Sequence, residues 1–286
     1  MILPLIILSS LFLVLLSPQS AWAWGPATHL EIAHTLLSSP GLVSGALREI
    51  IACFPHDFIY GSVSADIVVG KNLVDELRHC HNWRIGRKVF ERAKGPAEKA
   101  FACGYLSHLA ADTVAHNLFI PEMIIRSFPT RTLRHLYWEL RFDALADKEA
   151  WKLQKCLALG ASAENHRLLD SVITGTPLSF TTNRAIFSSF MLLNRIRHWQ
   201  KALRLMDRSS SWPLPRTLRK RYLSASIEAA AEVLSDMEGA GCLERDPTGK
   251  KNLRAAGLAR RRLKTCLRDG GDWESYIKEA LREVGG

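Results

Sequence analysis

Between Ala97 and Phe119 the chain is apolar with a helical period, yet three polar residues, His108, Asp112 and His116, recur in it at every fourth position. At 3.6 residues per turn, positions i, i+4 and i+8 lie along one slowly drifting face of a helix. Leu106, Leu109, Ala110, Ala111, Val114 and Ala115 surround them and predict burial. Two imidazoles and a carboxylate buried on one face need partners. A borderline metal such as zinc, which takes nitrogen and oxygen ligands, supplies them. A hydrogen-bonded core histidine would account for one such residue; the trio favours a metal.

Other residues extend this reading. His135 and Glu139 repeat the i, i+4 spacing on the next predicted helix. Alone they would read as a surface ion pair, but beside the trio they form a second half-site. Asp66 lies among small and apolar residues in the stretch from Tyr60 to Ile67. His79-Cys80-His81-Asn82-Trp83 offers two histidines competing for one role, with a soft sulfur ligand between them. His29 closely follows Trp24.

The first residues predict an export signal. Ile2 to Leu16 is almost wholly apolar, and Ala21-Trp22-Ala23 forms an A-x-A cleavage pattern. Residues 1–23 carry no charge, so the usual basic start is missing, and an uncleaved membrane anchor is the alternative. Cleavage would leave Trp24 as the first residue. Its new amine and its own carbonyl could then chelate a metal shared with His29.

The rest of the chain predicts helices and no strands. Helical spacing marks Leu30 to Leu37, Ala97 to Phe119, Thr132 to Leu159, Phe187 to Met206, Leu218 to Met237 and Leu253 to Val284. No run of alternating apolar residues and no internal repeat is present. The expected fold is therefore all-α, a multi-helix bundle. It comprises a signal peptide (1–23), a metal-binding core (24–160) and a basic helical part (161–286) of the same or an attached domain. Apolar residues form 47% of the 286 and charged residues 23%, which excludes a disordered, collagen-like or polytopic membrane chain. With 38 Lys and Arg against 28 Asp and Glu, the net charge of +10 favours anionic partners. The basic residues Lys250, Lys251, Arg254, Arg260, Arg261, Arg262, Lys264 and Arg268 read either as a steering surface or as a solvated helix face. No dedicated nucleic-acid module is present. Six cysteines without a C-x-x-C pair leave bridges and free thiols equally open.

In this order, a mature N-terminal Trp, a His, an Asp, a His, His-x-x-x-Asp with a further His, and His-x-x-x-Glu, the sequence resembles the zinc-dependent phospholipases C. These share a fold with the single-strand-specific zinc nucleases, and the N-terminal domain of glycosylphosphatidylinositol-specific phospholipase D resembles them too. The resemblance covers roughly Trp24 to Asp143. It implies two to three zinc ions: one held by Trp24 and His29 with Asp112 bridging, one by Asp66, His81, His108 and Asp112, and one by His116, His135 and Glu139. It favours His81 over His79, because an aromatic follows this ligand in some relatives. The spacing from Asp112 to His116 is shorter than in the best-known members. The resemblance also implies hydrolysis of a phosphodiester, with Asp66 orienting or deprotonating the attacking water. The expected substrate is phospholipid or another anionic phosphodiester. The expected protein is an exported monomer with possible membrane-surface contact. A nuclease, and a non-catalytic zinc-stabilised protein at a membrane surface, are the alternatives. Trp83 and Tyr60 are candidates for the substrate cleft or the core. Asp57 beside His56 reads as turn chemistry, Asp143 as structural, and His34, His56, His166 and His198 stand outside the set.

Overall fold

The computed structural model describes residues 24–39, 41–68, 80–130, 135–157, 162–194, 200–201, 203, 205, 209–212 and 214–285. The proposed signal segment, His79 and His198 lie outside them. Among the described residues there are helices and no strands, as the all-α expectation requires. None of these helices is long and apolar enough to cross a membrane.

In chain order the first helices are α1 (Pro26–Ser38), α2 (Ala46–Cys53), α3 (Pro55–Ser64), a 3₁₀ turn Ala65–Ile67, and α4 (Trp83–Arg92). The central helix α5 (Pro96–Val114) follows. It starts where Pro96 occupies the first turn and Glu98 folds back to accept from the backbone N–H groups of Lys94 (2.6 Å) and Gly95 (3.4 Å). From Ala100 to Val114 every residue of α5 is buried. A helix apolar on all sides is one that others enclose. Here α3, α4, α2 and the later helix α11 (Arg216–Ser235) pack around it.

The crossing of α3 and α5 is unusually close, and glycine permits it. A Cβ on Gly61 would lie 2.0 Å from the Phe101 carbonyl oxygen, and one on Gly104 would lie 2.0 Å from that of Phe58. Backbone thus meets backbone, which brings the Ser62 carbonyl within reach of His108 on α5.

The predicted helix Ala97–Phe119 is interrupted. The α-helix ends at Val114, a π turn spans Ala115–Phe119, and α6 (Ile120–Arg126) continues. Pro121 is the physical reason. It lacks the N–H that would close the next turn on the Asn117 carbonyl, and that oxygen instead accepts from Asn252 Nδ2 at 3.2 Å.

Two other predicted helices are each a pair. The span Thr132–Leu159 gives α7 (His135–Ala144) and α8 (Lys148–Leu157), because Asp147 Oδ1 accepts the Ala150 N–H at 2.7 Å and starts a new helix. The span Leu253–Val284 gives α12 (Lys250–Arg268) and α13 (Trp273–Gly285), divided at Gly270 with φ of 70°. Between these pairs lie α9 (Ala163–Val172), α10 (Phe180–Asn194), α11 and a 3₁₀ turn Gly241–Glu244. The helix expected over Phe187–Met206 therefore begins earlier, and residues 195–199 lie outside the description.

One buried cluster runs from Trp24 through α5 to Leu169, Met191, Tyr222, Leu234 and Cys242, so residues on both sides of position 160 share a core. A smaller cluster of Ile125, Phe128, Ala256, Leu263 and Ala280 seats α12 and α13 on α6. Cys53, Cys80, Cys103, Cys242 and Cys266 are free thiols.

Candidate metal centre

Asp112 on α5 is the hub. Its Oδ1 lies 3.2 Å from His29 Nε2, and its Oδ2 lies 3.2 Å from both His81 Nε2 and His108 Nε2. Asp66, from the 3₁₀ turn after α3, places Oδ1 3.3 Å from His81 Nε2. His29, on α1, stacks on His108 with ring centroids 3.8 Å apart. The potential ligand atoms of His29, Asp66 and His108, and separately those of His81, His108 and Asp112, lie within 4.8 Å of one another. All five residues are buried.

A second group gathers where α5 ends. The ligand atoms of His116, His135 and Glu139 lie within 4.8 Å of one another. His135 Nε2 is 2.9 Å from Glu139 Oε1, and the rings of His116 and His135 meet edge-on with centroids 4.8 Å apart.

Backbone carbonyls aim the imidazoles. His108 Nδ1 donates to the Ser62 carbonyl at 2.9 Å, and His116 Nδ1 donates to that of Pro247 at 2.6 Å. A carbonyl oxygen only accepts, so each Nδ1 carries the proton and each Nε2 keeps its lone pair for the cluster. Metal-ligating histidines are held in this way. His81 has Cys80 Sγ 3.3 Å from its Nδ1, on the side of the ring away from the carboxylates. Tyr105 donates to the Cys80 carbonyl at 2.6 Å and fixes that turn; burial keeps its phenol well above the ordinary pKa.

Asp143 supports His29 from behind. It accepts from the Ala27 N–H (3.1 Å), the Thr28 N–H (2.9 Å) and Thr28 Oγ1 (2.6 Å), which caps α1 just before the histidine. Burial pushes its pKa up to about 6 against the pull of these donors.

The arrangement fits a divalent cation. His108 Nε2 and His81 Nε2 pair through a hydrogen bond at 3.0 Å, with the proton of His108 on its other nitrogen. Among the described residues, His29 Nε2 and both Asp112 oxygens, though buried, have no aligned hydrogen bond. An imidazole nitrogen and a carboxylate that converge in a buried site without an aligned proton between them are destabilised unless a positive charge lies there. Burial would raise the Asp112 pKa, but His108 above all, then His29 and His81, hold it well below the ordinary range. Burial above all, with the neighbouring His108 acting in the same direction, lowers His29 to about 4 against the opposing pull of Asp112. The carboxylate is thus ionised and the imidazole neutral, the forms a metal requires. Nitrogen and oxygen donors in this number suit zinc.

Of the residues singled out in the sequence, His29, Asp66, His81, His108 and Asp112 converge on one site, and His116, His135 and Glu139 on another. Trp24 is buried against the same helix. Its indole N–H is shared between the Ala111 carbonyl and Ser226 Oγ, each at 3.1 Å, and its ring lies 4.0 Å from that of Phe142. Tyr60 does not line the site: its hydroxyl pairs with His166 Nε2 at 2.8 Å. Asp57 lies within α3, not in a turn, and accepts from Asn165 Nδ2 at 2.6 Å. Trp83 does face a cleft of about 370 Å³, lined by His81 and Asn82 on one side and by Arg245, Asp246, Pro247 and Lys250 on the other. The Ser62 and Pro247 carbonyls are supports that side-chain patterns do not mark.

The sequence model described as zinc-dependent phospholipase C matches residues 28–205. This is more than half of the chain and includes eight of the nine residues singled out, all but Trp24. The chain belongs to the zinc-dependent phospholipase C family. No curated protein and no solved structure gives a match.

Proposed function

We propose that the chain is an exported, zinc-dependent phosphodiester hydrolase whose substrate is phospholipid, cleaved in the manner of a phospholipase C. The observation that carries this reading is the convergence of His29, His81 and His108 on the two oxygens of a buried Asp112, beside the cleft that begins at His81. A site meant only to hold the fold together would be closed, whereas a catalytic one keeps access for water and substrate.

Zinc held there supplies Lewis-acid polarisation of the phosphoryl oxygens and a water acidic enough to attack near neutral pH. His29, His108 and His81 would hold it through their Nε2 atoms, and Asp112 would present one oxygen to His29 and the other to His81 and His108. Asp66 is the most exposed carboxylate of the group at 6%, and it serves as the acceptor for the proton of the attacking water. Arg245 and Lys250 on the cleft wall are the cations within reach of an incoming phosphodiester, beside the carboxylates Glu244 and Asp246. Water adds at phosphorus and the bond from phosphorus to the glycerol oxygen breaks, leaving diacylglycerol and a phosphorylated head group.

A nuclease is the second reading. Half-buried Trp83 on the cleft wall could stack a base. Monomeric state, membrane-surface contact and export after cleavage before Trp24 belong to the same proposal. A turnover screen of the zinc-loaded mature chain on phosphatidylcholine, phosphatidylinositol and single-stranded DNA tests it. Head-group release from lipid supports the first reading, and DNA cleavage alone replaces it with the second. Zinc retention with no turnover on any of the three points to a non-catalytic zinc protein.

A further inference from the structure

The turn from Asp246 to Gly249 lies beyond the residues that match the family, 28–205, yet it touches His116 of the second group. Pro247 gives its carbonyl to His116 Nδ1 at 2.6 Å. One residue before this turn, the Arg245 carbonyl accepts from the Trp83 indole at 2.9 Å, two positions after His81. The turn closes on itself: the Gly249 N–H donates to the Asp246 carbonyl at 2.9 Å, and the Thr248 N–H to Asp246 Oδ1 at 3.0 Å.

This turn is clamped onto the π segment that carries His116. Asn117 Nδ2 donates to the Asp246 carbonyl at 2.9 Å, and Asn252 Nδ2 reaches back to the Asn117 carbonyl and Oδ1 at 3.2 and 3.3 Å. Gly249 allows the approach. Its φ of 57° is left-handed, and a Cβ there would lie 2.4 Å from His116 Cβ and 2.5 Å from the His116 carbonyl oxygen.

We propose that the turn Asp246–Gly249 is a positioning element for the metal centre: it fixes the Nδ1–H form of His116 and so aims Nε2 at His135 and Glu139. The proposal rests on the reading of His116 as a zinc ligand. The π turn sets the register at residue 116, and the carbonyl from the C-terminal part sets the ring. His108 receives the equivalent support from the Ser62 carbonyl, within the matched residues. The C-terminal part is therefore a component of the site as well as a helical layer.

The test uses the full mature chain with four substitutions: Gly249→Ala, Asn252→Ala, His116→Gln, and Gly257→Ala, a control with open space at its Cβ. Zinc per protein is counted after dialysis against buffered zinc, and ¹⁵N-histidine NMR reads the protonation form of His116. His116→Gln should hold one zinc fewer than the unaltered chain, and Gly257→Ala the full number. Gly249→Ala should weaken that same zinc by about tenfold or more, the scale of a lost outer-shell partner, and keep the others. Its His116 signals should move from a single Nδ1–H form to a mixture. Asn252→Ala removes the clamp without a clash and should show the same selective weakening, which covers the case where Gly249→Ala does not fold. Unchanged zinc affinity in Asn252→Ala and in any folded Gly249→Ala protein, with His116→Gln still one zinc short, overturns the positioning role alone. Loss of every zinc in a folded variant also overturns it. If His116→Gln holds as much zinc as the unaltered chain, the reading of His116 as a ligand fails, and the proposal with it.

Discussion

His29 Nε2 and Asp112 Oδ1 sit 3.2 Å apart in the core, on helices far separated in sequence, without the alignment of a hydrogen bond. His81 and His108 stand in the same relation to the second Asp112 oxygen, so one carboxylate divides its two oxygens between two sets of imidazoles.

Asp112→Asn tests that hub. The amide keeps the shape but removes the negative charge that offsets bound cations. Turnover should fall by more than about 100-fold, beyond the range typical of lost outer-shell partners. His34→Asn is the control, a half-buried histidine outside both ligand groups that pairs with Ser38 Oγ at 3.3 Å, and should change turnover little. Equal losses in the two variants would remove Asp112 from its place at the centre.

The trio on α5 was legible because an i, i+4, i+8 pattern survives on any helix, and an apolar setting predicts burial. His135 and Glu139 were legible for the same reason, Asp66 and His29 by the order of the family's ligands along the chain, and His81 was preferred to His79 only through the resemblance. The backbone was not. The carbonyls of Ser62 and Pro247 carry no side-chain signature, and which carbonyl meets which imidazole depends on how the helices cross. Pro121 was visible as a residue, but the π turn it induces also needs Asn252 from α12 to take up the freed carbonyl. Asp143 read as structural, one turn beyond Glu139. Its place at the start of α1, where it holds the backbone next to His29, follows only from the packing of α1 against α7.

The low pKa of His29 makes a prediction about the zinc-free protein. In the folded state this ring titrates near 4, and in the unfolded chain near 6.5. Between those values the unfolded state binds the extra proton, so the contribution of His29 to stability falls as pH falls through this window. Asp143 acts in the opposite direction over roughly the same range: its raised folded pKa favours the native state at the acid end, and that benefit is lost as pH rises through about 6. Total stability is therefore a poor reporter, and the comparison should be made against His29→Asn. From pH 6.5 to 4 the unaltered zinc-free protein should lose on the order of 3 kcal/mol relative to the variant. Urea unfolding at a series of pH values reads this, and a difference independent of pH would contradict it.

The close crossing of α3 and α5 predicts unequal glycine effects. Gly61→Ala and Gly104→Ala each drive a Cβ into backbone and should cost about 2–3 kcal/mol or more. Gly86→Ala meets the tips of Leu109 (2.7 Å) and Leu106 (3.0 Å), which can turn aside, and should cost less. Denaturant midpoints give the ranking. Equal costs at all three positions would mean that the crossing is not the constraint.

Trp24 predicts a dependence on the start of the chain. If its free amine is a ligand beside His29, a form with extra residues before Trp24 presents an amide, a poor ligand. Compared at equal helix content, the extended form should hold one zinc fewer than a form beginning at Trp24 and lose most of its turnover. Full metal and full turnover in the extended form would reduce Trp24 to a packed aromatic against Ala111 and Phe142.

The most direct measurement is a zinc titration of the stripped, folded mature chain, with bound metal and phospholipid hydrolysis followed together. The account predicts no hydrolysis without zinc, uptake of two to three equivalents, and activity that rises as these sites fill. A folded protein that takes up no zinc, or one that hydrolyses phospholipid equally well without it, would contradict the account.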